Sequence, residues 1–308
     1  MTGHWKKLGL LYHLPEDGLH SKLRSHTANP LPVWIEADIY RVYFSSRDAH
    51  HRSSVGAVDI DIVQRKVIKT HAEPFFTHGP ESSFYADGVS IGNCYEVNGT
   101  RYLCFMGWQN PPGEHWRGEI GRLIVNPDFS LELDSDTPLM GIDNHDPISL
   151  SYPWVQQVSS ENYHMWYGST LDWNAGNGEM LHVIKYATST NGHEWKRQGL
   201  AVPYQMNLAQ AFSRPTVLDT LDSGYHMWFS YRSGLGKPYR IGYATSKDAI
   251  HWLLALDQAG IDVAQTGWDA HMIEYPYVFE HKQHVYMLYN GNEYGKSGFG
   301  LAMLQAAF

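Results

Sequence analysis

A unit of about sixty residues recurs five times along this chain, and that repeat restricts the fold more than any other feature. YPWVQQVSSENYHMWYGS (152–169), RPTVLDTLDSGYHMWFSY (214–231) and YPYVFEHKQHVYMLYNG (275–291) each open a strand with a Pro and a Val. Each then turns and returns along a strand of alternating aromatics. The first two go on to a third strand, IKYATS (184–189) and IGYATS (241–246), and a Trp-led fourth, HEWKRQGLAV (193–202) and IHWLLALDQAGIDV (250–263). NPLPVWIEADIYRVYFSS (29–46) and ADGVSIGNCYEVNGTRYLCFMG (86–107) are more diverged copies. With Pro30, Gly88, Pro153, Pro215 and Pro276 as equivalent points, the residue numbers give spacings of 58, 65, 62 and 61. Four-stranded units at this period are propeller blades.

The last unit stops after its third strand, GFGLAML (298–304), and its fourth is found at the other end of the chain. WKKLGLLY (5–12) reads like WKRQGLAV (195–202). Trp5 precedes Pro30 by 25 residues, as Trp195 and Trp252 precede their next repeat Pro by 20 and 24. An N-terminal outer strand that closes the ring removes the open sheet edge. The expected architecture is all-β: one five-bladed β-propeller over residues 1–308. Its blades fall near 29–80, 86–145, 151–205, 213–265 and 274–304, with 5–12 as closing strand.

Composition agrees and excludes several functions. Hydrophobic residues make up 43% and charged residues 18%, far from the signature of disorder. Against 32 acidic residues stand 23 Lys and Arg with no basic block, which argues against a nucleic-acid partner. The longest apolar runs, such as LGLLY at 8–12, are too short to span a bilayer, and MTGHWKKLGL lacks a signal-peptide core. A cytoplasmic protein without a membrane partner is expected. The Asn98-Gly99 turn pairs Cys94 with Leu103, so Cys94 and Cys104 point to opposite faces and no disulfide is expected. The HMW motifs at 164–166 and 226–228 recur at equivalent strand positions, as blade core does.

Strands in a blade alternate in direction outward from the axis, so first-strand starts and second-to-third-strand loops share one mouth. The starts bring Asn29, Asp87, Ser151 with Tyr152, Ser213 with Arg214, and Glu274 with Tyr275. The loops bring Arg47 and Asp48, Trp108 and Glu114, Asp172 and Trp173, Arg232 and Lys237, then Glu293, Tyr294 and Lys296. Asp87 and Glu274 are the innermost carboxylates. Such a pair is what glycosidic cleavage requires, one acid protonating the leaving oxygen and the other activating water or attacking carbon. Arg214 between them can orient an anion or a hydroxyl, and Trp108, Trp173 and Tyr294 suit the faces of sugars. No cofactor is expected. His26, His78, His145, His271 and Asp146 are the residues an axial metal would need; His271 is also a candidate ligand-binding residue.

The five blades, the closing strand, the YATS repeats with their following Trp and the acidic strand starts resemble the five-bladed propeller glycosidases. That group contains family 43 arabinanases and xylosidases, the invertase and levansucrase families 32 and 68, and family 130 mannoside phosphorylases. The stretches 41–53 and 266–300 resemble uncharacterised propeller proteins of bacterial saccharide gene clusters. The resemblance implies a saccharide or sugar-nucleotide ligand and an enzyme that cleaves a glycosidic bond. In the arabinanase-like pattern an Asp before Pro opens the first blade, where this chain has Asn29. A second Asp opens the second blade, matched by Asp87, and the acid Glu lies two residues before Pro in the third, where Ser151 stands. Glu274 has that offset from Pro276, in the fifth blade. Two alternatives follow. In a phosphorylase, phosphate attacks and only one protein acid is needed, with Arg47, Arg214, Arg232 and Lys237 as anion holders; the same cations suit a sugar-nucleotide diphosphate or an acidic sugar. In a non-catalytic sugar-binding propeller, Asp87 and Glu274 are dispensable for binding.

Overall fold

A computed structural model describes residues 3–220, 224–234 and 236–305. The first blade comprises β2 (Ser25–Glu36), β3 (Ile39–Arg47), β4 (Ser53–Asp61) and β5 (Lys66–Thr70). The second holds β6 (Gly88–Val97), β7 (Thr100–Gln109), β8 (Arg117–Val125) and β9 (Leu131–Leu133). The third holds β10 (Leu150–Ser159), β11 (Asn162–Asp172), β12 (Leu181–Ser189) and β13 (Lys196–Leu200). The fourth holds β14 (Ala211–Thr220), β15 (Gly224–Arg232), β16 (Arg240–Ser246) and β17 (Trp252–Leu254). The fifth holds β18 (Glu274–His281), β19 (His284–Asn290) and β20 (Phe299–Gln305), with β1 (His4–Tyr12) paired antiparallel on β20. The N-terminal strand therefore completes the last blade, as its sequence predicts.

Blades pack through the aromatics of their strands. Trp154 meets Tyr277 at 5.0 Å, Tyr40 meets Phe279 at 5.4 Å, and Trp166 meets Trp252 edge-on at 5.9 Å. His164, Met165 and Trp166 are buried, and so are His226, Met227 and Trp228, which makes the repeated motif core. Cys94 pairs with Leu103 across the Asn98-Gly99 turn, and both cysteines are free.

Each first strand carries the same irregularity. Its register slips by one residue between Ala28 and Leu31, Ile91 and Cys94, Ser151 and Trp154, Ser213 and Thr216, and Glu274 and Tyr277. In four blades the inserted residue precedes proline and is left-handed: Asn29 (φ 57°), Tyr152 (φ 32°), Arg214 (φ 46°) and Tyr275 (φ 53°). Proline disfavours the right-handed helical region for its predecessor, and a bulge re-aims one side chain while bending the strand. A non-glycine residue in this region costs about 1–3 kcal/mol and persists where the surroundings hold it. Here four such residues ring the axis.

The bulges also correct one repeat anchor. The slip in β6 makes Asn93, not Gly88, the counterpart of the prolines, so that residues 30, 93, 153, 215 and 276 are spaced 63, 60, 62 and 61 apart. Asn93 does what no proline can. Its side-chain oxygen accepts the Val155 N–H at 2.8 Å and its amide donates to the Val155 carbonyl at 2.8 Å, joining the second blade to the third.

Candidate functional site

The mouth opens into a cavity of about 400 Å³ lined from all five blades. Of the residues expected there, Asn29, Arg47, Trp108, Tyr152 and Arg232 line it, together with Ser151, Ser213, Tyr275 and Tyr294. The left-handed residues explain part of this, because bulging turns Asn29, Tyr152 and Tyr275 inward. The Tyr152 hydroxyl donates to that of Tyr275 at 3.5 Å, and their rings lie 5.4 Å apart. Arg232 forms an ion pair with the buried Glu179 at 2.6 Å, reinforced by a hydrogen bond of 2.8 Å, and stacks 4.8 Å from Tyr239. Burial alone would lower the Arg232 pKa; Tyr239 and Glu179 raise it.

Glu274 stands behind this lining rather than in it. Its side chain is fully buried and neither carboxylate oxygen has a hydrogen-bond partner. Burial pushes its pKa well above the usual carboxylate range, against the opposing pull of Arg232 and Arg47. The bulge register puts Glu274 on the rung that Ala28, Ile91, Ser151 and Ser213 occupy in the other blades.

Asp87 lies off that rung, four residues before Ile91. It is half-buried at the rim, where one carboxylate oxygen accepts the Asn110 N–H at 2.7 Å. The expected pair is therefore not assembled symmetrically about the axis, because the second blade bulges later than its Gly88 suggests. Arg214 departs from expectation as well. Its guanidinium is buried and donates to the carbonyls of Tyr275 at 2.6 Å, Pro30 at 2.8 Å and Gly92 at 3.4 Å. It knits four blades below the cavity instead of facing a ligand.

Four further candidates are turned to other partners. Asp48 caps its own loop, accepting from His50 N, Arg52 N and the Arg52 side chain. Asp172 is exposed and caps Asn174 N at 2.9 Å. Glu293 pairs with Lys296 at 2.9 Å. His271 is exposed, with its backbone N–H on the Asn292 side chain at 2.8 Å. Nor do His26, His78, His145, His271 and Asp146 converge: among the described residues no three His, Cys, Asp or Glu side chains could share an ion. Asp146 is instead bound to Tyr167, Ser169, Lys185 and Arg197. Among the described residues no helix is long and apolar enough to cross a membrane.

Sequence reasoning missed the contribution of the third strands. Ser53, Trp116, Met180, His182 and Tyr239 line the cavity at or beside their starts. The signal was available: first and third strands run the same way, so both begin at the mouth. His182 is the most constrained of these. Its Nε2 lies 2.6 Å from Ser151 Oγ and its Nδ1 lies 2.8 Å from Thr170 Oγ1. Burial, then Arg232, pulls its pKa down to about 3, so the ring is neutral across physiological pH. Trp116 packs 4.9 Å from Trp173, extending the aromatic wall outward.

The five-bladed propeller fold is shared with solved glycoside hydrolases. A BT0996 RGII complex superposes with a TM-score of 0.73 at 14% identity, covering 98% of this chain and 92% of that one. A thermostable family-43 glycoside hydrolase gives a TM-score of 0.66 at 16% identity, with 91% and 88% covered. At these identities the likeness is one of fold. The chain itself belongs to the family of Uncharacterized protein Rv1502 and Uncharacterized protein MT1551 of Mycobacterium tuberculosis. It is 42% identical to each over 304 residues, 98% of this chain and 99% of the relative. No family model matches the chain.

Proposed function

We propose that this protein is a carbohydrate-active enzyme that cleaves a glycosidic bond in the mouth cavity, with Glu274 as the proton donor. The observation that carries the reading is a buried carboxyl without a hydrogen-bond partner behind a wall of tyrosines, its pKa raised by burial. A raised carboxylic acid is what protonation of a leaving glycosidic oxygen demands. Delivery requires Glu274 to swing past the lining, a rotation that breaks no hydrogen bond. Tyr152, Tyr275, Trp108 and Trp116 offer rings for apolar sugar faces.

Attack at the anomeric carbon falls to water activated by Asp87 or to an incoming anion. The second reading, phosphorolysis, is favoured by one observation: the cavity lining contains two arginines and no carboxylate. Phosphate oxygen would then form the new bond to carbon as the glycosidic bond breaks, and the leaving oxygen would take the Glu274 proton.

A mass-spectrometric screen against glycans and sugar nucleotides, with and without phosphate, tests both. Products abolished by Glu274→Gln are expected; loss in Asp87→Asn as well selects hydrolysis, and a sugar 1-phosphate formed only with phosphate selects phosphorolysis. Saccharide binding without turnover, unchanged in both variants, would make the protein a sugar-binding propeller and remove the catalytic assignment.

A further inference from the structure

Two arginines line the cavity, and among the described residues one of them has no partner. Asp48 belongs to Arg52 at 2.8 Å, Glu179 to Arg232 and Glu293 to Lys296. Asp87 is held by the Asn110 N–H. Burial raises the Glu274 pKa well above the usual carboxylate range, against the pull of Arg232 and Arg47. Arg47, at the end of β3, lines the cavity half-buried and has no side-chain hydrogen bond or ion pair among the described residues. A cation drawn partly out of water without a counter-charge is unfavourable unless something supplies one. Among the described residues no carboxylate lines the cavity to do so. His26 nearby is held neutral, its pKa lowered to about 4 by burial and then by Arg47 and Lys296. The lining beside Arg47 is made of donors and neutral groups, including Asn29, Ser45, Tyr152 and Tyr275.

We propose that Arg47 binds an oxyanion of the ligand, a carboxylate or phosphate. The planar guanidinium matches either group with two parallel N–H donors, and Tyr275, whose hydroxyl already accepts from Tyr152, keeps its own proton for the same anion. The inference rests on the carbohydrate reading for the rest of the ligand. Two sources share the chemistry: an acidic or phosphorylated sugar, and free phosphate that enters as co-substrate.

Calorimetric titrations of the whole protein separate them, with inorganic phosphate, neutral monosaccharides, and the uronic acids and sugar phosphates of the same configurations as probes. An acidic or phosphorylated sugar is expected to bind tighter than its neutral counterpart and to weaken about tenfold or more in Arg47→Gln. Arg47→Lys should retain part of the affinity, and neutral sugars should change less than about twofold. Should Arg47→Gln not fold, arginine-directed dicarbonyl labelling of the wild type, read by peptide mapping, replaces it; the probe must protect Arg47. Binding of phosphate but of no sugar keeps the anion site and removes the carbohydrate reading. Neutral sugars binding as tightly as acidic ones, with phosphate bound no better in wild type than in Arg47→Gln, overturn the anion site and leave the carbohydrate reading standing. Absence of binding by every probe overturns both.

Discussion

Arg214 of the fourth blade donates to the carbonyl of Tyr275 in the fifth at 2.6 Å, and through its other terminal nitrogen to Pro30 and Gly92 in the first and second. One side chain thus fastens the bulges of three other blades beneath the cavity. Its pKa, lowered to about 10 by burial, leaves it charged at neutral pH. Arg214→Met removes the donors and strands buried carbonyls, each costing about 1–3 kcal/mol. Urea unfolding should show a loss of about 3 kcal/mol; a loss below about 1 kcal/mol would mean that the bulges hold themselves.

Glu274→Gln should be tolerated by the fold, because the carboxyl makes no hydrogen bond to lose. Its effect on stability has a defined pH dependence. The folded pKa is raised, so between the unfolded carboxylate value and the folded one the native state binds more protons than the unfolded chain. Stability from this group is complete at low pH and declines as pH rises through that window. The variant, which has nothing to ionise, should gain on the wild type as pH increases from about 4.5 upward. Unfolding midpoints measured from pH 4.5 to 8 check this; a difference that stays flat would place the ionised carboxylate in a solvated site.

Much of the fold was readable because packing repeats. Trp-led outer strands, paired HMW motifs and Pro-Val openings mark the same positions in successive blades, and one unmatched strand at each end implied closure. The second blade misled because Asn93, through two hydrogen bonds to Val155, does the joining that the eye seeks from a proline. That five-residue error placed Asp87 at the innermost strand start, where the structure has the bulge between Ile91 and Cys94. Local loop chemistry was equally hidden: Asp48, Asp172 and Glu293 are acids at mouth loops in sequence, yet each caps or pairs within its own loop. Arg47 and Asp48 are adjacent in sequence, yet Arg47 ends β3 and lines the cavity while Asp48 turns back onto Arg52 in its own loop.

His182 gives a prediction of the opposite sign. Its folded pKa, pulled down to about 3, lies below the ordinary histidine value near 6.5, so the unfolded chain takes up the proton first as pH falls. The stability it contributes is complete above about 6.5 and is lost progressively toward about 3. Nitrogen chemical shifts of the ring should report a neutral imidazole at pH 5, bound to Ser151 and Thr170. His182→Gln should lose less stability than the wild type between pH 6.5 and 4. An imidazolium at pH 5 would contradict the burial that the Ser151 contact implies.

The closing strand makes the most severe test of the ring. Trp5 is almost wholly buried, packs edge-on against Trp228 at 5.4 Å, and accompanies a ladder that runs from His4–Gln305 to Tyr12–Phe299. Its backbone N–H also donates to the Gly260 carbonyl at 2.9 Å, which ties the fifth blade to the fourth. Truncating a buried Trp to Ala removes large apolar area and leaves a cavity, with a typical cost of about 3–5 kcal/mol. Trp5→Ala should lower the unfolding free energy by that amount while residual native protein keeps its ligand affinity, since Trp5 does not line the mouth. Deleting residues 1–12 goes further, because it bares the whole length of β20 as an unprotected edge. That deletion variant is expected to self-associate in sedimentation experiments and to be rescued by adding the twelve-residue peptide in trans. A monomeric deletion variant of wild-type stability would show that β20 needs no cover and that the ring closes by side-chain packing alone.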